Sequence, residues 1–168
     1  MLEEIVRLIR GGKVGTNTVS CPSTPAQIQG IVTGNALDAG DVFGNIFELE
    51  VPKSGVIQSA TFYDFDDEGE QVDLEVFIGR ITQIASDASW APSDIDMLKF
   101  RTEIQFFTFD DHINSQTSEV KNIGKAYSAP QGKLFIQAVC RGTPNIAAGS
   151  LPRFQLQILS DDPNWKER

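Results

Sequence analysis

The chain has 168 residues, 40% of them hydrophobic, which is an ordinary globular composition. That length can bury a core without metals or disulfides. Its 23 Asp and Glu against 14 Lys and Arg give a formal charge of -9, which excludes broad nucleic-acid binding and attachment to an anionic membrane surface, since both need clustered cations. No apolar run reaches the ~18 residues of a membrane span.

Residues 1–10 open with acids and lack a long apolar stretch, so they do not read as a secretory signal. Leu2, Ile5, Val6, Leu8 and Ile9 approach a helical stripe, interleaved with Arg7 and Arg10, and Gly11-Gly12 stops it. A piece this short needs something to dock on. From Gly11 to Ala26 the chain is rich in Gly, Thr, Ser and Pro. Residues 1–26 are therefore expected to form an extended N-terminal arm. Leu2, Ile5, Val6, Ile9, Arg7 and Arg10 are its candidate partner-binding residues. Fully extended, such an arm spans up to ~85 Å.

Residues 27–161 read as the body. Short runs of β-branched and aromatic residues predict strands near 28–33, 42–51, 55–65, 71–81, 101–109, 133–141 and 152–159, with a weaker one near 118–127. The alternation of Val72, Leu74 and Val76 with Asp73, Glu75 and Phe77 is the clearest; that of Phe154, Leu156 and Ile158 with glutamines is nearly as clean. Pro52-Lys53-Ser54-Gly55 and Pro130-Gln131-Gly132 supply turns. Ser93, with Asp96 three residues on, is a helix-capping pattern and predicts one short helix near 91–98. The expected fold is all-β: an antiparallel β-sandwich, jelly-roll-like, of about eight strands. Residues 162–168 read as a C-terminal tail.

The most suggestive chemical string runs from Asp64 to Glu75. Asp64, Asp66, Glu68 and Glu75 fall at calcium-loop positions 1, 3, 5 and 12, with Gly69 at position 6. Glu68 stands where Asp or Asn is usual, and the flanks read as strands. The favoured reading is a β-hairpin with an acidic tip, in which Gly69 takes a positive φ and Asp73 and Glu75 are solvated. His112 is the single histidine and reads as a solvated loop residue. Cys21 and Cys140 have no zinc spacing with it, and Cys140 reads as a buried free thiol. No phosphate loop or nucleophile elbow is present, and nothing singles out a carboxylate pair for hydrolysis. No catalytic residue, cofactor or metal is expected. Trp90 and Trp165 lie outside the strands and are candidate partner contacts.

An ordered series of segments carries a likeness beyond these readings. It runs through Ala39-Gly40-Asp41-Val42-Phe43-Gly44, then Gly55-Val56-Ile57-Gln58-Ser59-Ala60-Thr61-Phe62-Tyr63-Asp64, and then Ala91-Pro92-Ser93-Asp94-Ile95-Asp96. It closes with Leu134 to Pro144 and Phe154 to Leu159. Over roughly residues 36–160 the chain resembles a family of capsid decoration, or cement, proteins of tailed bacteriophages. The resemblance implies a virion structural protein on the outside of the head, often a homotrimer, that clamps neighbouring major capsid subunits. It carries over no catalytic residues and does not extend to the N-terminal arm. A carbohydrate-binding β-sandwich of a phage tail or host-surface adhesin is the alternative, with Trp90 in an exposed aromatic platform.

Overall fold

The structure, a computed structural model, describes residues 17–162, 164 and 165. Ten strands pack as two antiparallel sheets: β1 (Asn17–Gln27), β2 (Val42–Glu50), β3 (Ser54–Asp64), β4 (Val72–Phe77), β5 (Phe100–Phe106), β6 (Asp110–Asp111), β7 (Gln116–Val120), β8 (Lys125–Ser128), β9 (Lys133–Cys140) and β10 (Arg153–Ser160). The larger sheet has the order β1-β10-β3-β7-β6, with β8 also paired to β3; the smaller has the order β2-β9-β4-β5. Among the described residues the one helix, α1, spans Asp94–Met97. The all-β sandwich expected from the alternation is the fold.

The strands alternate because the sandwich has one interior. Val72, Leu74 and Val76 from β4 meet Ile57, Ala60 and Phe62 from β3 and Phe154, Leu156 and Ile158 from β10 in a single buried cluster. The α1 cap is as the sequence predicts: Ser93 Oγ accepts from the Asp96 N–H at 3.2 Å.

Three expectations are corrected. Residues 17–26 are not an arm. They are most of β1, paired with β10 from Asn17↔Ser160 to Cys21↔Leu156 and again at Ala26 and Gln27, and Cys21 is fully buried. Ser, Thr and Pro hid the strand; Pro22 fits because β1 is a sheet edge interrupted by a bulge. The strand predicted near 28–33 does not form, and the one near 118–127 divides into β7 and β8 around Asn122 and Gly124, both at positive φ.

The acidic turn after β3 is not a hairpin. β3 belongs to the larger sheet and β4 to the smaller, so residues 65–71 carry the chain across the sandwich. Asp64 holds that crossing: its Oδ1 accepts from the Asp66 N–H at 2.9 Å and its Oδ2 from the Gly69 N–H at 2.8 Å. Gly69 does take a positive φ, 63°. β2 to β3 through Pro52-Lys53 and β8 to β9 through Pro130-Gln131-Gly132 are likewise crossings between sheets.

The long connection from Ile78 to Lys99 decides what the outer face of the smaller sheet becomes. Its middle is pinned beside the start of β2 by Val42 N–H to Ala88 O at 2.8 Å and Trp90 N–H to Gly40 O at 2.8 Å. Ile81 joins Phe77 and Phe135 in a second, smaller apolar cluster, with Trp90 and Phe100 against it. β4 is therefore buried on both faces.

Candidate interaction surface and a buried carboxyl cluster

The same connection presents α1 to solvent. Ile95 is 70% exposed and Leu98 84%, and Met97 and Ile78 are exposed as well. Ile78 N–H donates to Lys99 O at 2.9 Å, which brings β4's end beside the end of α1. Asp96 fixes the turn from below. Its Oδ2 accepts from the Thr82 N–H at 3.2 Å and from Ser93 Oγ at 3.0 Å, and its Oδ1 takes the Lys99 ammonium at 2.8 Å. The Lys99 contact, with the Thr82 and Ser93 bonds, holds the Asp96 carboxyl down to about 2. A buried anchor under clustered exposed apolar side chains is how a fold presents a preordered contact patch. The sequence reading missed Ile95, Met97 and Leu98; the available signal was three apolar residues in a capped turn flanked by Asp, Ser and Lys.

On the sheet's outer face β4 carries Asp73, Glu75 and Phe77. The expectation that Asp73 and Glu75 are solvated is corrected: they are 1% and 5% exposed. Alternation placed them on the outer face rightly, but neighbouring side chains and the Ile78–Lys99 connection cover that face. Across the ladder Glu75 stands between Gln137 on β9 and Glu103 on β5. Arg141, just past β9, hydrogen-bonds Asp73 Oδ2 through Nε, and its Nη2 lies 3.5 Å from Glu75 Oε1. One guanidinium thus faces three carboxyl groups. Burial first, and Glu103 next, push the Glu75 carboxyl up to about 7; burial also raises Asp73. Asp73 Oδ1 and Gln137 Oε1 are buried without a hydrogen-bond partner among the described residues. The separation of β4, β9 and β5 in sequence left no signal for this cluster.

The calcium-loop candidates do not converge. Both Asp64 oxygens are occupied by the turn, and Asp66 Oδ2 accepts from the Ala147 N–H at 2.7 Å. Glu68 is exposed on the crossing, its carboxyl raised by partial burial and then by Asp66. Glu75 lies in the other sheet, on its outer face, so position 12 of the pattern is not beside positions 1, 3 and 5. Among the described residues no group of three or more His, Cys, Asp or Glu is placed to hold a metal ion.

Trp90 is half-buried, its ring edge-on to Phe77 with centroids 6.2 Å apart, and its indole hydrogen-bonds Glu75. It closes the outer cluster and offers no open platform. Trp165 is also half-buried against the main core, beside a groove of about 870 Å³ rimmed by Glu50, Lys53, Asp161 and Asp162. It is not part of a free tail. His112 is exposed, with Nε2 3.0 Å from Thr117 Oγ1. Cys140 is a buried free thiol, pushed up to about 12 by burial. Leu2, Ile5, Val6, Arg7, Ile9 and Arg10 lie outside the described residues.

No protein-family model matches the chain, and no curated protein or solved structure matches it.

Proposed function

We propose that this protein is a structural component of a tailed-bacteriophage virion, a decoration protein that sits on the outer surface of the head and bridges neighbouring major capsid subunits. The observation that carries the reading is the exposed apolar turn of Ile95, Met97 and Leu98, tied down by buried Asp96. Exposed apolar side chains in one place lower solubility, and covering them on a partner recovers hydrophobic free energy of about 25 cal/mol per Å². The acidic surface suits a partner with a basic face. The resemblance of the ordered segments to decoration proteins is the ground for reading the partner as major capsid protein and the assembly as a homotrimer. The reading is of a binding protein without catalysis. In support, Asp73 and Glu75 are engaged by Arg141, and the exposed histidine contacts Thr117.

The test is decoration of purified heads. Protein is mixed with heads that lack it and co-sedimented. The wild-type chain binds, and Ile95→Asp with Leu98→Asp weakens binding by about tenfold or more, roughly 1.4 kcal/mol. Equal binding by the double variant, or no binding of the wild-type chain to heads, overturns the reading.

A second reading, carbohydrate binding, is favoured by a different face. On the larger sheet's outer side Phe65 is exposed, stacks with Tyr63 at 6.5 Å, and lies 5.6 Å below the Arg153 guanidinium. Glycan binding lost on Phe65→Ala supports it; no glycan binding by the wild-type chain removes it.

A further inference from the structure

Two orphaned acceptors and one carboxyl group share the outer face of the smaller sheet. Asp73 Oδ1 and Gln137 Oε1 are buried with no donor among the described residues, and an unpaired buried acceptor is costly. The Gln137 amide cannot be flipped to relieve this, because its N–H groups donate to Gly44 O at 3.0 Å and Ala138 O at 3.1 Å. Glu75 is the residue directly opposite Gln137 on the ladder and two positions from Asp73 on the same face of β4. An ionised carboxylate only accepts; a neutral carboxyl also donates one O–H.

The groups facing Glu75 are Asp73 from its own strand, Glu103 from β5, Arg141 from the end of β9, and the Trp90 indole from the Ile78–Lys99 connection. Three potential anions meet one cation. Arg141 is already engaged by Asp73, so a proton on Glu75 relieves the remaining repulsion. Glu103 matters most for mechanics, since like charges directly opposite on adjacent strands destabilise their pairing. Among the described residues β5 is the edge of its sheet and is paired only with β4.

We propose that Glu75 works as a proton-operated catch. As a neutral acid it donates its one hydrogen to an orphaned acceptor, on β4 or on β9, and when that proton leaves, repulsion with Glu103 loosens edge strand β5. The carboxyl's rise to about 7 puts the change near neutrality. Above that pH β5 opens more often, together with the adjoining end of the connection that carries α1.

Amide hydrogen exchange with mass spectrometry tests this on the whole protein, with rates corrected for the intrinsic effect of pH. In the wild-type chain, protection of β5 relative to β10 falls about tenfold or more between pH 5.5 and 8. In Glu75→Gln, whose amide supplies a donor at every pH, β5 stays equally protected across that range. A flat wild-type profile, or a fall that persists in Glu75→Gln, overturns the catch. If Glu75→Gln does not fold, Glu103→Gln decides. Removing the facing charge removes the repulsion that loosens β5, so its protection stays level across that range, and a fall as large as in the wild-type chain overturns the proposal.

Discussion

Glu75 and Glu103 stand directly opposite each other on β4 and β5, in a sheet whose outer face is covered. Cross-strand acids normally repel through water, but Glu75 is buried and must also share a single guanidinium with Asp73. The pair makes stability respond to pH in a direction that can be worked out.

Folding raises the Glu75 carboxyl from an ordinary 4.5 to about 7. Between those values the folded chain holds a proton that the unfolded chain has lost. Stability is therefore highest below about pH 4.5, declines as pH rises, and levels off above about 7, with a total change on the order of 3 kcal/mol. Raised Asp73 acts in the same sense. Asp96 acts oppositely: its carboxyl is lowered from 3.8 to about 2, so its contribution is present above 3.8 and is lost as pH falls through about 2. Urea unfolding at pH 5 and pH 8 checks the first change, and Glu75→Gln is expected to be more stable than wild type at pH 8.

Arg141→Met leaves Asp73 buried with neither of its oxygens bonded to a cation. Breaking one side of a buried pair costs about 3–5 kcal/mol. The loss is expected to be smaller at pH 5 than at pH 8, because protons replace the missing guanidinium. Chemical denaturation of the variant at both values measures it.

Asp64→Ala removes the acceptors for two N–H groups in the crossing from β3 to β4. A loss of about 2 kcal/mol is expected from two such bonds. Because Glu75 is in the other sheet, millimolar calcium is expected to leave the melting temperature of the wild-type chain unchanged. Differential scanning calorimetry with calcium and with chelator checks both statements.

Deleting residues through Gln27 strips β1 from β10 and uncovers the interior around Cys21, Leu156 and Ile158. The exposed β10 edge is then a template for association. Such a chain is expected to lose cooperative unfolding or to aggregate, measured by circular dichroism melts and light scattering. An intact, monomeric truncated body would mean that β1 does not protect the β10 edge.

The amino-acid sequence by itself determined the class of fold and much of its local detail. Val72-Leu74-Val76 and Phe154-Leu156-Ile158 announced one buried face per strand, and Ser93 with Asp96 announced the capped turn. These are local statements: alternation and capping act over a few residues, so they are written in consecutive positions. Alternation also put Asp73 and Glu75 on the face opposite the core. It could not say what covers that face, because the cover comes from residues 78–99 and from strands distant in sequence. Nor could it say that β3 and β4, joined by a turn with hairpin chemistry, belong to different sheets. β1 was concealed because an edge strand of Ser, Thr and Pro lacks the propensity signal of an interior one; only pairing with β10 makes it a strand. Burial and partnership are properties of the assembled sandwich. They turned an apparently solvated Glu75 into the most strongly perturbed carboxylate among the described residues.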